Sequence, residues 1–268
     1  MTEPALPPPS AHPAPRSGAD RAAPAHCRVL AQAGFEARAI LRNGEQLLLS
    51  LVLPIIVLLG LSLTGILDVL GLGIGGHSPV AVATAGVLSL AIASTAFTGQ
   101  AISTGFDRRY GVLRQLATTP LGTAGLIWGK LLAVLLVVAV QFALLGVIAL
   151  ALGISAPVAH LAVVLAGLLG TAVMLTWGLV LAGALRAEAT LALANLLWVL
   201  MASVGGLVVA HDGLWGALVA WTPSGALGDA MRSAVLDGAI DLRACAVLLA
   251  WTVLGLLAAR RFFDFDGR

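Results

Sequence analysis

Six stretches of the chain are apolar over about the length that a helix needs to cross a membrane. The apolar core of a bilayer is about 30 Å thick and takes about 20 residues of α-helix. The stretches lie at about 47–67, 80–102, 131–152, 161–185, 189–210 and 244–263. The last is the least apolar, because it contains Arg260 and Arg261 near its end. The side chains of these two arginines must extend to the membrane surface. The pattern predicts an all-α membrane protein with six transmembrane helices.

An amphipathic segment precedes the first apolar stretch, at about 27–45. Its apolar residues recur at helical spacing, and they are Val29, Leu30, Ala33, Ala37, Ile40 and Leu41. The charged residues Arg28, Glu36, Arg38 and Arg42 occupy other positions. The spacing favours a helix that lies in the membrane interface with its arginines near the lipid headgroups. An ordinary solvated helix before the first span is the alternative.

The gap between the fifth and sixth stretches is long, from His211 to Arg243, and contains two shorter patterns. The run Leu214–Trp221 is too short to span a membrane and ends in tryptophan, which is enriched at membrane interfaces. Thr222 is a favourable cap for a helix that begins at Pro223. We expect two short helices on the outer side of the membrane, where they would cover an exit.

The first 26 residues are rich in proline and alanine and lack the apolar core of a signal peptide. Such a composition buries too little apolar surface to fold, so we expect a disordered cytoplasmic tail at 1–26. The rest of the chain, 27–268, is expected to form one transmembrane domain. Its two cysteines, Cys27 and Cys245, have no spacing typical of a disulfide framework or a metal site, and we expect free thiols.

Composition and charge place the chain among membrane proteins. Of its 268 residues, 59% are hydrophobic and 10% are charged, whereas an average soluble domain is about 25% charged. With six spans, all of the 15 lysine and arginine residues except Arg232 and Arg243 fall on one side of the membrane. Because positive residues concentrate in cytoplasmic loops, we expect both termini in the cytoplasm. The abundance of alanine, glycine and arginine favours a bacterial plasma membrane.

Two short motifs have part of the pattern of a nucleotide-binding loop. Gly71–Gly76 contains G-x-G-x-x-G, yet it links two predicted spans and follows no predicted strand. Gly125–Lys130 is similar to a phosphate-binding loop, but Ala124 and Leu131 stand where that loop requires glycine and a hydroxyl residue. We therefore expect no ATP site in this chain, and we interpret Lys130 as a positive anchor at the membrane surface.

The cores of the six stretches contain no ionisable residue. Ion-coupled transporters usually keep such groups inside the bundle, so their absence argues against ion-driven transport. The cores also lack a paired nucleophile and base, so we expect neither an enzyme nor a metal or cofactor site. Neutral polar residues do occur there, and they include Gln100, Gln141, Asn195, Thr98 and Thr176. They would either form hydrogen bonds between helices or line a substrate path.

The largest charged gap on the predicted cytoplasmic side is Ser103–Gly129. Phe106, Tyr110, Leu113 and either Leu116 or Ala117 fall on one face of a short helix. The charged residues Asp107, Arg108, Arg109 and Arg114 occupy the rest of it, and Pro120 ends it. Since the chain has no energy source of its own, we interpret this helix as the surface that a cytoplasmic partner moves. A plain positively charged loop is the alternative.

The segment from Arg108 to Lys130 reads RRYGVLRQLATTPLGTAGLIWGK. Its order resembles the permease subunits of ABC-2 type exporters, including the daunorubicin-resistance-type drug exporters. In that family a charged pair, G-T-L-E, a T-P dipeptide and a G-K dipeptide precede or open the third span. Here Gly111–Leu113, Thr119–Pro120 and Gly129–Lys130 fit that order, whereas Arg114 stands where the family often has glutamate.

The resemblance implies a non-catalytic subunit of a drug efflux system associated with antibiotic resistance. It implies a dimer of identical or homologous permeases on which two ATPase subunits dock, and those subunits would hold ATP and magnesium. The cargo would be drug-like or lipid-like, and no nucleic acid would be involved. The ATPase-coupling residues would be Phe106, Asp107, Arg108, Arg109, Tyr110, Gly111, Leu113, Arg114, Thr119 and Pro120. A self-sufficient carrier or channel is the rival hypothesis.

Overall fold

The computed structural model describes residues 23–66, 76–117 and 119–262. Within these ranges the chain is helical and has no β-strand. Residues 1–22 of the predicted disordered tail therefore lie outside the described residues. The predicted Gly71–Gly76 loop also lies outside them, except for Gly76.

The helices are numbered here in chain order. They are α1 (Ala25–Arg42), α2 (Leu53–Leu63), α3 (Pro79–Arg109), α4 (Val112–Ala117), α5 (Gly122–Ala151), α6 (His160–Ala184), α7 (Ala187–Ser203), α8 (Gly213–Val219), α9 (Pro223–Arg232) and α10 (Leu242–Phe262). Gly44–Leu47 is a further short helix between α1 and α2. Within the described residues three segments are π-helical: Leu48–Val52 before α2, Ala93–Gly99 within α3, and Ser233–Asp237 after α9.

Four of these helices are long and apolar enough to cross a membrane, namely α3, α5, α6 and α10. The first and fifth predicted spans correspond to shorter apolar helices, Ser50–Leu63 and Ala187–Ser203. The fifth was expected to reach residue 210, but its helix ends before Gly205 and Gly206, and Gly206 has a φ of +72°. The all-helical class is thus confirmed within the described residues, and four of their helices are candidates to span a membrane.

Two of the long helices extend beyond the apolar stretches that predicted them. The second stretch was expected to end at 102, but α3 continues to Arg109, and the third was expected to begin at 131, but α5 begins at Gly122. Hydrophobicity marks only the part of a helix that lies in the bilayer, whereas backbone hydrogen bonding continues through polar turns. As a result Asp107, Arg108 and Lys130 lie on long helices rather than in a loop.

The central element of the bundle is α3. Helices α2, α5, α6, α7 and α9 all pack against it. Ala81, Ala85 and Ala91 on this helix have no exposed surface. Small side chains let neighbouring backbones approach closely, which is how helices associate where no water drives them together.

The first helix, α1, packs along α5. The sequence pattern separated Glu36 from the apolar positions of this helix, but the structure buries Glu36 together with Gln32, Ala37 and Ile40. Leu30, Phe35 and Leu41 are exposed instead. The face of α1 that packs on the protein therefore includes Glu36, whose ion-pair partner Lys130 lies on α5.

The two short helices predicted between the fifth and sixth stretches are present as α8 and α9. The hydroxyl oxygen of Thr222 accepts a hydrogen bond from the backbone N–H of Gly225 at 3.1 Å, and Pro223 is the first residue of α9, as predicted. Leu227 and Met231 are fully buried where α9 packs against α3, α6 and α10. This helix is therefore part of the core, while Leu214 on α8 is 80% exposed.

Candidate functional site

A buried group of charged side chains joins three helices, and we call it the Lys130 cluster. It consists of Lys130 on α5, Glu36 and Gln32 on α1, and Asp107 on α3. The Lys130 Nζ lies 2.9 Å from Glu36 Oε1 and 3.7 Å from Asp107 Oδ2. The Gln32 Nε2 donates a hydrogen bond of 3.0 Å to the same Glu36 oxygen. One ammonium group is thus shared by two carboxylates.

Burial makes the Lys130 cluster a strong constraint on helix positions. The Lys130 side chain is 1% exposed and that of Glu36 is 11% exposed. A buried charge that loses its partner costs several kcal/mol, so the ion pair holds α1 against α5. The helices meet closely at the neighbouring residue, because a Cβ atom on Gly129 would lie 2.7 Å from Gln32 Cγ.

The Lys130 cluster corrects two statements made from the sequence. Lys130 is a buried ion-pair partner rather than an anchor at the membrane surface. The apolar part of α5 begins at Ala124 and includes Lys130, so this span does contain an ionisable residue. Its partner Glu36 was missed. The one signal for it in the sequence is that Gln32 and Glu36, four residues apart, share a helix face.

The end of α3 is tied to the two helices that meet beside it. The Arg108 Nη1 donates hydrogen bonds to the carbonyl oxygens of Ala182, at 3.2 Å, and Gly183, near the C-terminus of α6. Carbonyl groups at a helix C-terminus carry partial negative charge and attract cations. Arg109 forms an ion pair with Glu188 in the first turn of α7. Both arginine side chains are therefore bound by other residues of the same chain.

The prediction of a single helix from Phe106 to Ala117 is wrong, because the structure divides this segment between two helices. Phe106 lies in the last turns of α3, where its ring stacks on that of Tyr110 with the centroids 6.0 Å apart. Gly111 then turns the chain with a φ of +76°, and α4 starts at Val112. Glycine adopts this backbone conformation without the steric cost that a Cβ imposes. The two halves of the predicted helix thus have separate axes.

The short helix α4 and the residues that flank it present an exposed surface, which we call the α4 surface and define as Tyr110, Arg114, Thr119 and Pro120. All four residues are exposed, Tyr110 by 71%. Leu113 points the other way and is 2% exposed.

The segment that follows α4 is held in place as well. The Thr119 hydroxyl donates to the Leu116 carbonyl oxygen at 2.6 Å, and the Arg28 Nη1 of α1 donates to the carbonyl oxygen of Pro120. The α4 surface is therefore connected to α1, and through the Lys130 cluster to α3 and α5.

The five candidates for a substrate path do not share one surface. Gln141 is buried, and its Nε2 donates to the Ser50 carbonyl oxygen at 2.6 Å and to Thr95 Oγ1 at 2.8 Å. This favours the first of the two interpretations, hydrogen bonding between helices. Asn195 is exposed on α7.

The other three candidates are buried. The Thr176 hydroxyl donates to the Val173 carbonyl oxygen of its own helix at 2.9 Å. Gln100 is 1% exposed and Thr98 is 8% exposed, both on α3.

No model of a known protein family matches the chain, and none of the curated proteins matches it. Within the described residues, no three or more His, Cys, Asp or Glu side chains lie close enough together to hold a metal ion.

Proposed function

We propose that the chain is the membrane-spanning permease subunit of an ATP-driven exporter of the ABC-2 type in a bacterial plasma membrane. The four long apolar helices and the two shorter ones, Ser50–Leu63 and Ala187–Ser203, are its six spans. Both termini and α4 lie on the cytoplasmic side, and α1 lies in the interface there. The outward movement of a drug-like or lipid-like substrate is powered by separate ATPase subunits.

The observation that carries this proposal is the chain of contacts that connects the α4 surface, through α1, to the long helices. A partner that displaces α4 also acts on α1 through the Arg28–Pro120 hydrogen bond. The Lys130 cluster passes a displacement of α1 to α3 and α5. Packed elements transmit such movements because they shift as units between discrete arrangements. An exposed helix with buried attachments is suited to receive force from outside the membrane.

The proposal assigns the energy source to partner proteins. Two ATPase subunits bind ATP and magnesium and dock on the α4 surfaces of two permease subunits, which are identical or homologous. Arg108 and Arg109 support α3 from within, because they bind α6 and α7. The exposed residues Tyr110 and Arg114 are then the contact points for the ATPase.

A second candidate, a carrier that works without an ATPase, is favoured by one observation. The Lys130 cluster is a buried group of titratable side chains, and ion-coupled carriers keep such groups inside the bundle. Lys130 nevertheless lies only about 12 Å along the axis from the start of α5, since an α-helix rises 1.5 Å per residue. That places the cluster near one end of the bundle, beside α4.

Site-specific crosslinking tests the docking surface. A photoreactive residue at position 114 in the full chain, irradiated in native membranes, should capture a protein that contains a phosphate-binding loop. The matched control is the same residue at position 214, where Leu214 is 80% exposed at the opposite end of the bundle, and it should not capture that protein. Mass spectrometry of the crosslinked species identifies the partner.

Two results would contradict the proposal. The first is the absence of any ATPase among the proteins crosslinked at position 114. The second is uphill transport of a solute by the purified chain in vesicles with a pH gradient and no ATPase, which would favour the carrier.

A further inference from the structure

A polar cavity of about 240 Å³ lies among α8, α9, the segment after α7 and the start of α10. Four of the residues that line it carry polar side chains: His211, Asp229, Arg232 and Arg243. It lies at the end of the bundle opposite the α4 surface. The predicted topology places this end on the outer side of the membrane. We call it the arginine cavity.

Two arginines and one aspartate line the arginine cavity. Asp229 Oδ1 lies 2.7 Å from Arg232 Nη2, and its Oδ2 lies 2.7 Å from Arg243 Nη2. Asp241 is 3.4 Å from Arg243 but does not line the cavity. The two carboxylates offset both guanidinium groups in charge, but Arg232 keeps a guanidinium nitrogen that neither carboxylate reaches.

Two nitrogen atoms at the arginine cavity have no hydrogen-bond partner. The Arg232 Nη2 already donates to Asp229 and to the Gly206 carbonyl oxygen at 3.0 Å, but the buried Nη1 donates to nothing within the described residues. The buried Nε2 of His211 is likewise unpartnered there. Leaving a buried charged donor without a hydrogen-bond acceptor is unfavourable. An anionic oxygen would satisfy the guanidinium with a charge-assisted hydrogen bond.

An apolar groove of about 260 Å³ adjoins the arginine cavity, since Arg243 lines both. Its other walls are Trp221, Ala246, Val247, Ala250 and Trp251. The indole Nε1 of Trp251 donates to the Trp221 carbonyl oxygen at 2.8 Å, which fixes one side of the groove. The groove runs along α10, one of the helices able to span the membrane. A polar cavity next to a membrane-level groove has the two parts that an amphiphile requires.

We propose that the arginine cavity and the groove together bind a lipid-like amphiphile with an anionic headgroup. Headgroup oxygens accept hydrogen bonds from Arg232 Nη1 and from the N–H of His211 Nε2. The acyl chain lies in the groove against Trp221 and Trp251. Binding requires neither ATP nor an ATPase, so it goes beyond the proposed transport function and can be tested separately from it.

Tryptophan fluorescence provides the test, because Trp221 and Trp251 line the groove. Trp128 and Trp215 are also exposed, so the quenching assigned to the groove is the part that Trp221→Phe removes. The full chain is reconstituted in vesicles of phosphatidylcholine with a minor fraction of phosphatidylglycerol. Bromine, which quenches tryptophan, is placed on the acyl chains of either lipid at the same mole fraction. Brominated phosphatidylglycerol should quench more strongly than brominated phosphatidylcholine. Equal quenching by the two lipids would overturn the proposal.

Variants connect the preference to the arginine cavity. Arg232→Gln should lower the apparent affinity for phosphatidylglycerol by about tenfold or more, since loss of 1.4 kcal/mol corresponds to tenfold. Because Arg232 also binds Asp229 and Gly206, His211→Ala is the second variant, and it removes no hydrogen bond of the described structure. It should weaken the preference as well. Arg186→Gln, an exposed arginine at the opposite end of the bundle, is the control and should leave it unchanged. If neither of these two variants alters the preference for phosphatidylglycerol, the arginine cavity is not its binding site.

A competition with inorganic phosphate separates a lipid headgroup from a free anion as the source of the anionic group. If quenching by brominated phosphatidylglycerol persists in excess phosphate, the lipid is the ligand. If phosphate alters the tryptophan emission while the two brominated lipids quench equally, the cavity binds a soluble anion and the amphiphile proposal is wrong.

Discussion

The contribution of Lys130 to stability depends on its burial and on the carboxylates around it, as well as on its charge. It is the largest side chain in the described residues with almost no exposed surface, and it lies within reach of carboxylates from two other helices. Asp107 is 36% exposed, so water can hydrate it, whereas Glu36 depends more strongly on the lysine. The pair between Lys130 and Glu36 is therefore the part of the cluster most sensitive to substitution.

We expect Lys130→Met to lower the free energy of unfolding by about 3–5 kcal/mol, because it leaves the buried Glu36 without its partner. Adding Glu36→Met should restore much of the loss, since an apolar pair replaces a broken ion pair. Reversible unfolding in mixed detergent micelles measures both changes. Arg38→Met, at an exposed position of α1, is the control and should change the value by no more than about 0.5 kcal/mol. A double variant as unstable as the sum of the single variants would contradict this account.

At the scale of elements, the contact between α1 and α5 depends on a glycine on α5. A Cβ atom on Gly129 would lie 2.7 Å from Gln32 Cγ and 3.0 Å from Gln32 Cβ, which is too close for two carbon atoms. Gly146 lies on the same helix, but a Cβ atom there would meet nothing within 4 Å. The two glycines thus differ in whether another helix approaches them.

Gly129→Ala should therefore separate α1 from α5 and destabilise the protein by about 1–3 kcal/mol, as overpacked substitutions do. Gly146→Ala makes the same chemical change at an open position and should be neutral or slightly stabilising. The unfolding free energies of the two variants, measured in the same detergent, provide the comparison. Equal effects would show that α1 does not pack on α5 as described.

At the scale of the whole molecule, the proposed six-span topology places α4 in the cytoplasm and α8 outside. Position 114 on α4 is exposed, and so is position 214 on α8, and neither requires a positive φ. These sites therefore report sidedness without straining the backbone.

In a chain with Cys27 and Cys245 replaced by serine, Leu214→Cys should react with a membrane-impermeant maleimide added to intact cells. Arg114→Cys should react only after the cells are permeabilised, because the reagent cannot reach the cytoplasm. Gel shifts of the labelled protein measure both reactions. If position 114 alone is labelled in intact cells, the topology is the reverse of the proposed one.

The sequence predicted the helical class, the short helices α8 and α9, and the start of α9 at Pro223. These features follow from local properties: apolar runs, capping residues and the fixed φ of proline. The same reasoning misplaced the helix ends around residues 102–131, because polar residues there continue helices instead of ending them. The division of the predicted Phe106–Ala117 helix depends on the turn at Gly111, which helical periodicity does not reveal.

The amino-acid sequence by itself determined where the chain is apolar enough to be buried and which segments form helices, since both depend on residues close together in the chain. Only the tertiary structure decided which charged groups meet. Lys130 and Glu36 lie on helices far apart in sequence, as do Arg109 and Glu188, and Arg232 binds the carbonyl of Gly206, 26 residues earlier. Local spacing contains no information about such pairs, because they form only when the packing of several helices brings their faces together.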